Sequence, residues 1–282
     1  NPALTCERPL QGWYSNEKTD NDKWRITFNP NKAQDSREVM LLQCGKCASC
    51  YADKRREWGV RAYHESLAHE QNSFLTLTYD DEHLPRDGLI SKRELQLFIK
   101  RLRKAAHPIK LRYLACGEYG DLTLRPHYHL LIFGADFRAN SAIVDLDGSY
   151  TSKIIEDCWP KGLVHVTSLT PATCFYVAGY ASKKLDNHDT FVLMSKRPPL
   201  GNHFAREYAP ELVSNERAHV HGNTYTVPKQ YQKWFPDDYQ QLVEQKQQFA
   251  REQGFFECLT QAQTKQTLNK AAKMQRPIAG SL

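Results

Sequence analysis

Residues 125–134 read RPHYHLLIFG, two histidines two apart at the head of an apolar run closed by a glycine. In a strand, side chains at i and i+2 point to one face, so His127 and His129 project together while Tyr128 faces away. Leu130, Leu131, Ile132 and Phe133 are apolar on both faces, which suits a strand inside a covered sheet rather than a surface ribbon. Such a histidine pair is half of a metal site at most. On its own an H-x-H pair is more often two ordinary core or surface histidines, so its meaning depends on what the chain brings beside it.

Working outward, KLRYLACGEY (110–119) reads as a strand that returns through a short polar loop into the histidine strand, an antiparallel hairpin. Pairing the two sets Glu118, nine residues before His127, beside both imidazoles, with Cys116 on the same face as a weaker rival. Two His and one carboxylate leave coordination positions open, as a catalytic ion requires; the alternative is a surface carboxylate.

SFLTLTYD (73–80) alternates as a strand, with Phe74, Thr76 and Thr78 on one face and Leu75, Leu77 and Tyr79 on the other. Ser91, with Glu94 three residues on, forms a capping box that starts a helix with Leu95, Phe98, Ile99 and Leu102 as its buried stripe and basic residues, Arg101 and Lys104 among them, on the rest. Residues 48–69 have helical spacing and a basic flank that includes Arg55, read either as a solvated face or as a phosphate contact. Residues 163–168, LVHVTS, return as a strand in which His165 is an ordinary member. Thr170 caps a helix from Pro171 to Leu185, where Tyr176 and Tyr180, four apart, share a face that Lys183 and Lys184 extend. Gly179 inside this helix is expected to let a backbone or substrate approach the tyrosines.

The first 43 residues are polar, and only Trp24 to Phe28 suggests a strand. Order there depends on Cys6, Cys44, Cys47 and Cys50, four sulfurs with Gly45 permitting the tight turn of QCGKCASC. A closed structural zinc site is the economical reading; an iron–sulfur cluster and unligated cysteines are the alternatives, and Cys6 is the least certain ligand. Three of the eight cysteines in C-x-x-C-x-x-C, with no apolar secretion segment in NPALTCERPLQGW, point to metal ligands in a reducing compartment rather than to disulfides. No stretch has the roughly 18 apolar residues of a membrane span. The net charge of +6 permits nucleic-acid binding without demanding it.

Three regions emerge: a Cys-rich zinc-binding region with a basic helix over 1–70, a core over 71–190, and an extension over 191–282. The extension holds a Pro-Gly loop with Lys196 and Arg197 that reads as a link or a DNA contact, a hairpin near residues 220–227, and helical, Gln-rich sequence with a polar tail from Thr260.

FLTLTY (74–79), RPHYHLLIFG (125–134) and YVAGYASKK (176–184) together resemble the motif series of HUH endonucleases that initiate rolling-circle replication. With the early cysteines, the chain resembles the initiators of microviruses in the gokushovirus-like branch, over roughly residues 1–200. Two tyrosines instead of one match the two-tyrosine superfamily. The resemblance implies an α+β fold, with a central antiparallel sheet of about five strands, the histidine strand in the middle, flanking helices, and an N-terminal zinc-binding extension. It implies Mg2+ or Mn2+ on His127, His129 and Glu118, and attack on a DNA phosphate by Tyr180 first and Tyr176 second, with Lys183 assisting. The product is a 5′-phosphotyrosine and a free 3′-OH, with rejoining later. Arg55, Arg101, Lys104, Arg125, Lys184, Lys196 and Arg197 are the expected DNA contacts. The implied partners are single-stranded DNA or an origin hairpin, with a host helicase and polymerase, in the host bacterial cytoplasm and at no membrane. The rival readings are a relaxase or transposase of the same chemistry, a metal nuclease that activates water, and a zinc-containing DNA-binding protein without catalysis.

Overall fold

A computed structural model describes residues 6–20, 22, 24–120, 123–138, 150–182 and 190–252. Contacts group the chain in two units, residues 1–53 with 241–282, and residues 54–240. Lys183, Lys184, the turn near Asp145 and Gly148, and the tail from Thr260 lie outside the described residues.

In the first unit, β1 (Leu10–Lys18) is the middle of a three-stranded antiparallel sheet, between β2 (Trp24–Thr27) and β3 (Met40–Leu42). The expectation of a single short strand among the first 43 residues is therefore corrected. LQGWYSNEK has no apolar alternation to announce it, and its order is non-local. Trp13 is buried and its indole N–H donates to Ser36 O at 3.0 Å, while Gln34 bonds Tyr14 O through its backbone N–H (2.9 Å) and Ser15 O through its side chain (2.8 Å). The helix α1 (Ala48–Leu67) opens in this unit and continues into the second.

In the second unit the elements follow as β4 (Asn72–Thr78), α2 (Lys92–Ala105), β5 (Arg112–Tyr119), β6 (Pro126–Phe133), α3 (Lys153–Cys158), β7 (Val164–Thr167), α4 (Pro171–Ser182) and β8 (Phe191–Met194). The five strands form one antiparallel sheet in the order β7-β4-β6-β5-β8, with the histidine strand β6 in the middle. This is the α+β architecture that the motifs imply. Period-two alternation sends Leu75, Leu77, Tyr128, Leu130 and Ile132 to one face, where they meet Leu95, Phe98, Ile99 and Leu102 of α2 together with Ile155 and Trp159. Each fully buried Leu or Phe of α2 contributes about 1.5–3 kcal/mol. Leu114, Cys116, Leu131 and Phe133 fill the other face under Ala62 of α1 and Cys174 and Val177 of α4.

Half of the expected capping box forms. Ser91 Oγ accepts from Glu94 N–H at 3.3 Å, but the Ser91 N–H donates to Tyr128 Oη (2.9 Å), and the Glu94 carboxylate pairs with Lys161 at 3.0 Å instead. A buried tyrosine hydroxyl supplies the acceptor, so the glutamate is released. At α4 the cap is reciprocal: Thr173 N–H donates to Thr170 Oγ1 (3.2 Å) and Thr170 N–H to Thr173 Oγ1 (2.9 Å).

Beyond β8 come α5 (Asn202–Glu207), α6 (Ala209–Ser214), β9 (Arg217–Val220), β10 (Asn223–Thr226), α7 (Lys229–Trp234) and α8 (Gln240–Glu252). The expected hairpin turns at His221 and Gly222, both at positive φ, as a two-residue hairpin favours. Of these elements, α5 and α7 pack on α1 within the second unit, where Phe204 stacks on buried His64 at 3.8 Å and Tyr231 Oη lies 3.0 Å from His64 Nδ1. The Gly201 N–H donates to Glu65 Oε2 at 2.7 Å, and a Cβ there would meet Tyr231 Oη at 2.5 Å.

Candidate active site

Strand register builds the site. Glu118 on β5 sits directly opposite His127 on β6, and Cys116 opposite His129, so the carboxylate and both imidazoles emerge on the face covered by α4. Glu118 Oε1 lies 2.8 Å from His127 Nε2 and 2.6 Å from His129 Nε2. The outer nitrogens are also held: His127 Nδ1 is 3.1 Å from Arg125 O, and His129 Nδ1 is 3.0 Å from Thr76 Oγ1. A carbonyl oxygen only accepts, so His127 carries its proton on Nδ1 and, when neutral, turns the lone pair of Nε2 toward an anionic oxygen. That contact requires a positive charge, either a second proton on the ring or a cation among the three groups. Their ligand atoms all lie within 4.8 Å of one another, and imidazoles braced through Nδ1 are the usual form of metal-ligating histidines. Glu118, His127 and His129 therefore fit a divalent ion. Cys116 does not join them; it is fully buried between this face of the sheet and the covering helices, and burial pushes its thiol pKa up.

The α4 helix adds two phenols. Tyr176 Oη donates to Glu118 Oε1 at 2.6 Å and lies 3.3 Å from His129 Nε2, while Tyr180 Oη donates to Tyr176 Oη at 3.3 Å. Their rings meet edge-on at 5.4 Å, the one-turn spacing of i and i+4. Burial raises the pKa of both phenols, and the negative charge of Glu118 raises it further. The carboxyl moves the other way. Burial would raise its pKa, but hydrogen bonds from His127, His129 and Tyr176, with the Tyr180 hydroxyl behind Tyr176, outweigh burial and hold Glu118 well below the usual carboxylate range.

The second cluster, in the first unit, is formed by the four cysteines. Sγ of Cys44 is 3.9 Å from that of Cys50, and Cys47 Sγ is 3.9 Å from Cys6 Sγ. A disulfide needs about 2.05 Å, whereas four thiolates about 2.3 Å from a tetrahedral zinc stand about 3.8 Å apart. Backbone N–H groups point at sulfur as they do around metal thiolates: Cys44 to Cys6 (3.3 Å), Glu7 to Cys47 (3.4 Å) and Lys46 to Cys44 (3.5 Å). Burial alone would raise the Cys44 thiol pKa, but the backbone N–H groups of Lys46 and Cys47, with neighbouring cysteines, bring it down to about 7. Burial instead pushes Cys6 and Cys50 up. Glu7 Oε1 accepts from Ser49 N–H (3.2 Å) and Oγ (3.1 Å), which fixes Cys6 against the first turn of α1.

A family model described as replication-associated protein ORF2/G2P matches residues 72–185, which hold four of the five strands of the sheet, the triad and both tyrosines. The replication-associated protein VP4 of Bdellovibrio phage phiMH2K is 35% identical over 254 residues, 82% of this chain and 77% of that protein. The chain belongs to the replication-associated proteins of microviruses. Two other members are replication-associated protein ORF4 of Chlamydia phage 1, 30% identical over 75% of the chain and 56% of that protein, and ORF2 of Spiroplasma virus 4, 36% identical over 66% of the chain and 63% of that protein. No solved structure matches the chain.

The basic residues expected to contact DNA are spread over this replication-associated protein. Arg125 leads into the histidine strand and is braced by Asp81 (2.6 Å) and Tyr79 O (3.0 Å). Arg55, exposed on α1, donates to Phe175 O on α4 at 3.0 Å. A Cβ on Gly179 would lie 3.6 Å from Arg55 Nε, so this glycine faces the arginine, which corrects its expected role beside the tyrosines. Lys196 and Arg197 follow β8, whose Met194 pairs with Leu114, so they leave from the end of β5 remote from Glu118, about 14 Å along the strand. Arg101 and Lys104 belong to α2, behind the sheet, and Arg101 Nε donates to Cys158 O at 2.8 Å. Two supporting residues escaped sequence reading. Thr76 holds the His129 ring, and Phe74 stacks on it at 5.5 Å. The alternation that put Phe74 and Thr76 on one face was legible; the placing of Thr76 opposite His129 and of Phe74 opposite Leu131 needed the strand register.

Proposed function

We propose that this protein nicks single-stranded DNA at a replication origin by tyrosine attack and later rejoins it. The observation that carries this reading is the Tyr176 hydroxyl on the same carboxylate oxygen that faces both histidines. In the cleavage step a phenol oxygen bonds to phosphorus as the bond from phosphorus to the 3′ oxygen breaks. The phenol gives up its proton, the departing oxygen takes one up, and a 5′-phosphotyrosine and a free 3′-OH result. Rejoining is the reverse attack by a 3′-OH.

An unassisted phenol, with a pKa near 10, is a weak nucleophile at neutral pH, and the Glu118 carboxylate makes both phenols weaker still. A divalent ion such as Mg2+ or Mn2+ on His127, His129 and Glu118 would offset that carboxylate charge, favour the phenolate and polarise the scissile phosphate. Thr76 and the Arg125 carbonyl orient the two imidazoles, and Glu118 holds the phenol in place. Two tyrosines on one helix face let one keep the first 5′ end while the other cuts the regenerated origin. The single-tyrosine pattern, in which Lys183 follows Tyr180 by three residues in the sequence, favours Tyr180 for the first cut; the bond to Glu118 favours Tyr176. The four cysteines hold a structural zinc, for which the sulfur spacing is the support. The protein works in the host cytoplasm with the host's helicase and polymerase.

The test is incubation of the protein with single-stranded origin-region DNA and Mn2+, followed by denaturing electrophoresis. A denaturation-resistant adduct is expected. Cleavage that leaves a free 5′-phosphate would instead identify a nuclease using activated water, and neither product across metals and sequences would overturn the proposal.

A further inference from the structure

The stretch from Lys92 to Arg112 carries eight Lys and Arg against one Glu, a net +7 from 21 residues, more than the +6 of the whole chain. Its acid, Glu94, is paired with Lys161 at 3.0 Å. Lys92, Arg93, Lys100, Arg103 and Lys104 are all exposed. At 100° per residue they fall within an arc of about 120°, on the side of α2 away from Leu95, Phe98, Ile99 and Leu102, and they span about 18 Å of axis.

A merely solvated helix face does not need this pattern. Elsewhere in the unit, the surface helix α3 pairs opposite charges at i, i+4, Lys153 with Asp157 at 2.7 Å. On α2, Lys100 and Lys104 stand at that spacing with like charge, which opposes the helix. Arg103 and Lys104 suit the negative C-terminal end of the helix dipole, but Lys92 and Arg93 occupy the first turn, where the dipole disfavours cations. An anion lying along the helix relieves both conflicts.

We propose that the outer face of α2 is a second DNA-binding surface that takes the phosphates of duplex DNA beside the strand being cut. The proposal rests on the nicking function above. The surface is separate from the tyrosines, because α2 covers the sheet face of Tyr128 and α4 covers the opposite one. A sheet layer and a helix diameter of about 10 Å lie between them, so a strand at Glu118 does not reach these cations. Duplex is favoured over single strand because proteins that hold single strands stack bases on aromatic side chains, and the aromatic residue of α2, Phe98, is fully buried. Arg103 is turned onto Leu111 O (3.3 Å) and the Tyr113 ring, and what remains outward is the row of Lys92, Arg93, Lys100 and Lys104, suited to a regular phosphate backbone.

The test compares the wild-type chain with the triple variant Lys92→Gln, Arg93→Gln and Lys100→Gln, in fluorescence anisotropy titrations with a 30-base-pair duplex and with a short single-stranded oligonucleotide, from 50 to 200 mM KCl. Substitutions on this exposed face are expected to leave the circular dichroism melt unchanged. Duplex affinity at the low-salt end is expected to fall at least tenfold, and the slope of log K against log salt to flatten by about 2 to 3, since each lost phosphate contact removes about 0.9. Affinity for the single strand and adduct formation on it are expected to stay at wild-type levels. An unchanged duplex slope overturns the proposal, as does an equal loss on the single strand, or loss of binding to anionic phospholipid vesicles with duplex binding intact. If the wild-type chain forms no adduct with any DNA, the nicking function fails, while the duplex titration still decides whether this surface binds DNA.

Discussion

The Tyr176 hydroxyl donates to Glu118 Oε1 at 2.6 Å, and Tyr180 reaches that carboxylate's network through Tyr176, at 3.3 Å. The two phenols are therefore inequivalent although they share a helix face. Replacing both with Phe is expected to abolish the covalent adduct, a loss of at least 10³-fold, because no other nucleophile lies within reach among the described residues. Of the single variants, the one that loses the first adduct on a fresh single strand identifies the first nucleophile. Loss in Tyr180→Phe supports the order expected from the single-tyrosine pattern; loss in Tyr176→Phe assigns the first cut to the phenol nearest Glu118. An adduct formed by the double variant would sink the tyrosine chemistry altogether.

Thr76 is neither a proposed nucleophile nor a proposed metal ligand, and it braces His129 through Nδ1 at 3.0 Å. Thr76→Val keeps the shape and removes the hydroxyl. Loss of such a partner weakens metal affinity about 10- to 100-fold. Calorimetric titration with Mn2+ measures it directly, and Thr76→Ser, which keeps the hydroxyl, is expected to restore most of the affinity. Equal Mn2+ affinity in Thr76→Val and wild type would mean that the hydroxyl does not orient the ring.

The sheet and the triad were legible because both rest on period two. His127 and His129 share a face by alternation alone, and a short loop between two strands leaves few registers that bring Glu118 beside them. The strand β1 was not legible. Its nine residues carry no apolar alternation, and what orders them is a return of chain about twenty residues later, through Ser36 and Gln34. The same limit hid the brace on His129: a threonine in a strand is unremarkable until pairing sets it opposite a histidine. Charge shows the converse case. The basic run of α2 is plain in the sequence, but its separation from the tyrosines depends on which sheet face each helix covers.

The cysteine cluster gives a prediction independent of catalysis. Purified protein is expected to contain about one zinc per chain by atomic emission, and Cys50→Ser to lower that content at least fivefold. Since binding free energy at a structural zinc is folding free energy, chelation is expected to lower the melting temperature and to expose residues 6–47 to proteolysis. Wild-type zinc content in Cys50→Ser would remove this cysteine from the ligand set.

The last prediction concerns pH. Glu65 on α1 is buried, accepts the Gly201 N–H at 2.7 Å, faces His69 Nε2 at 3.3 Å and pairs with Arg112 of β5. Burial would raise its pKa, but His69, the Gly201 N–H and Arg112 together lower it. A carboxyl held below its unfolded value stabilises the fold above about pH 4.5 and loses that contribution as pH falls through the folded pKa. Glu65→Gln leaves Arg112 its bonds to the Arg197 and Pro198 carbonyls but no carboxylate, and is expected to cost about 3 kcal/mol at pH 7. The difference between wild type and variant is expected to stay constant from pH 7 to pH 5 and to shrink below about 4.5 as Glu65 takes up its proton. Urea unfolding at pH 7, 5, 4 and 3 measures it, and a difference that grows toward acid would show that Glu65 is held protonated in the fold.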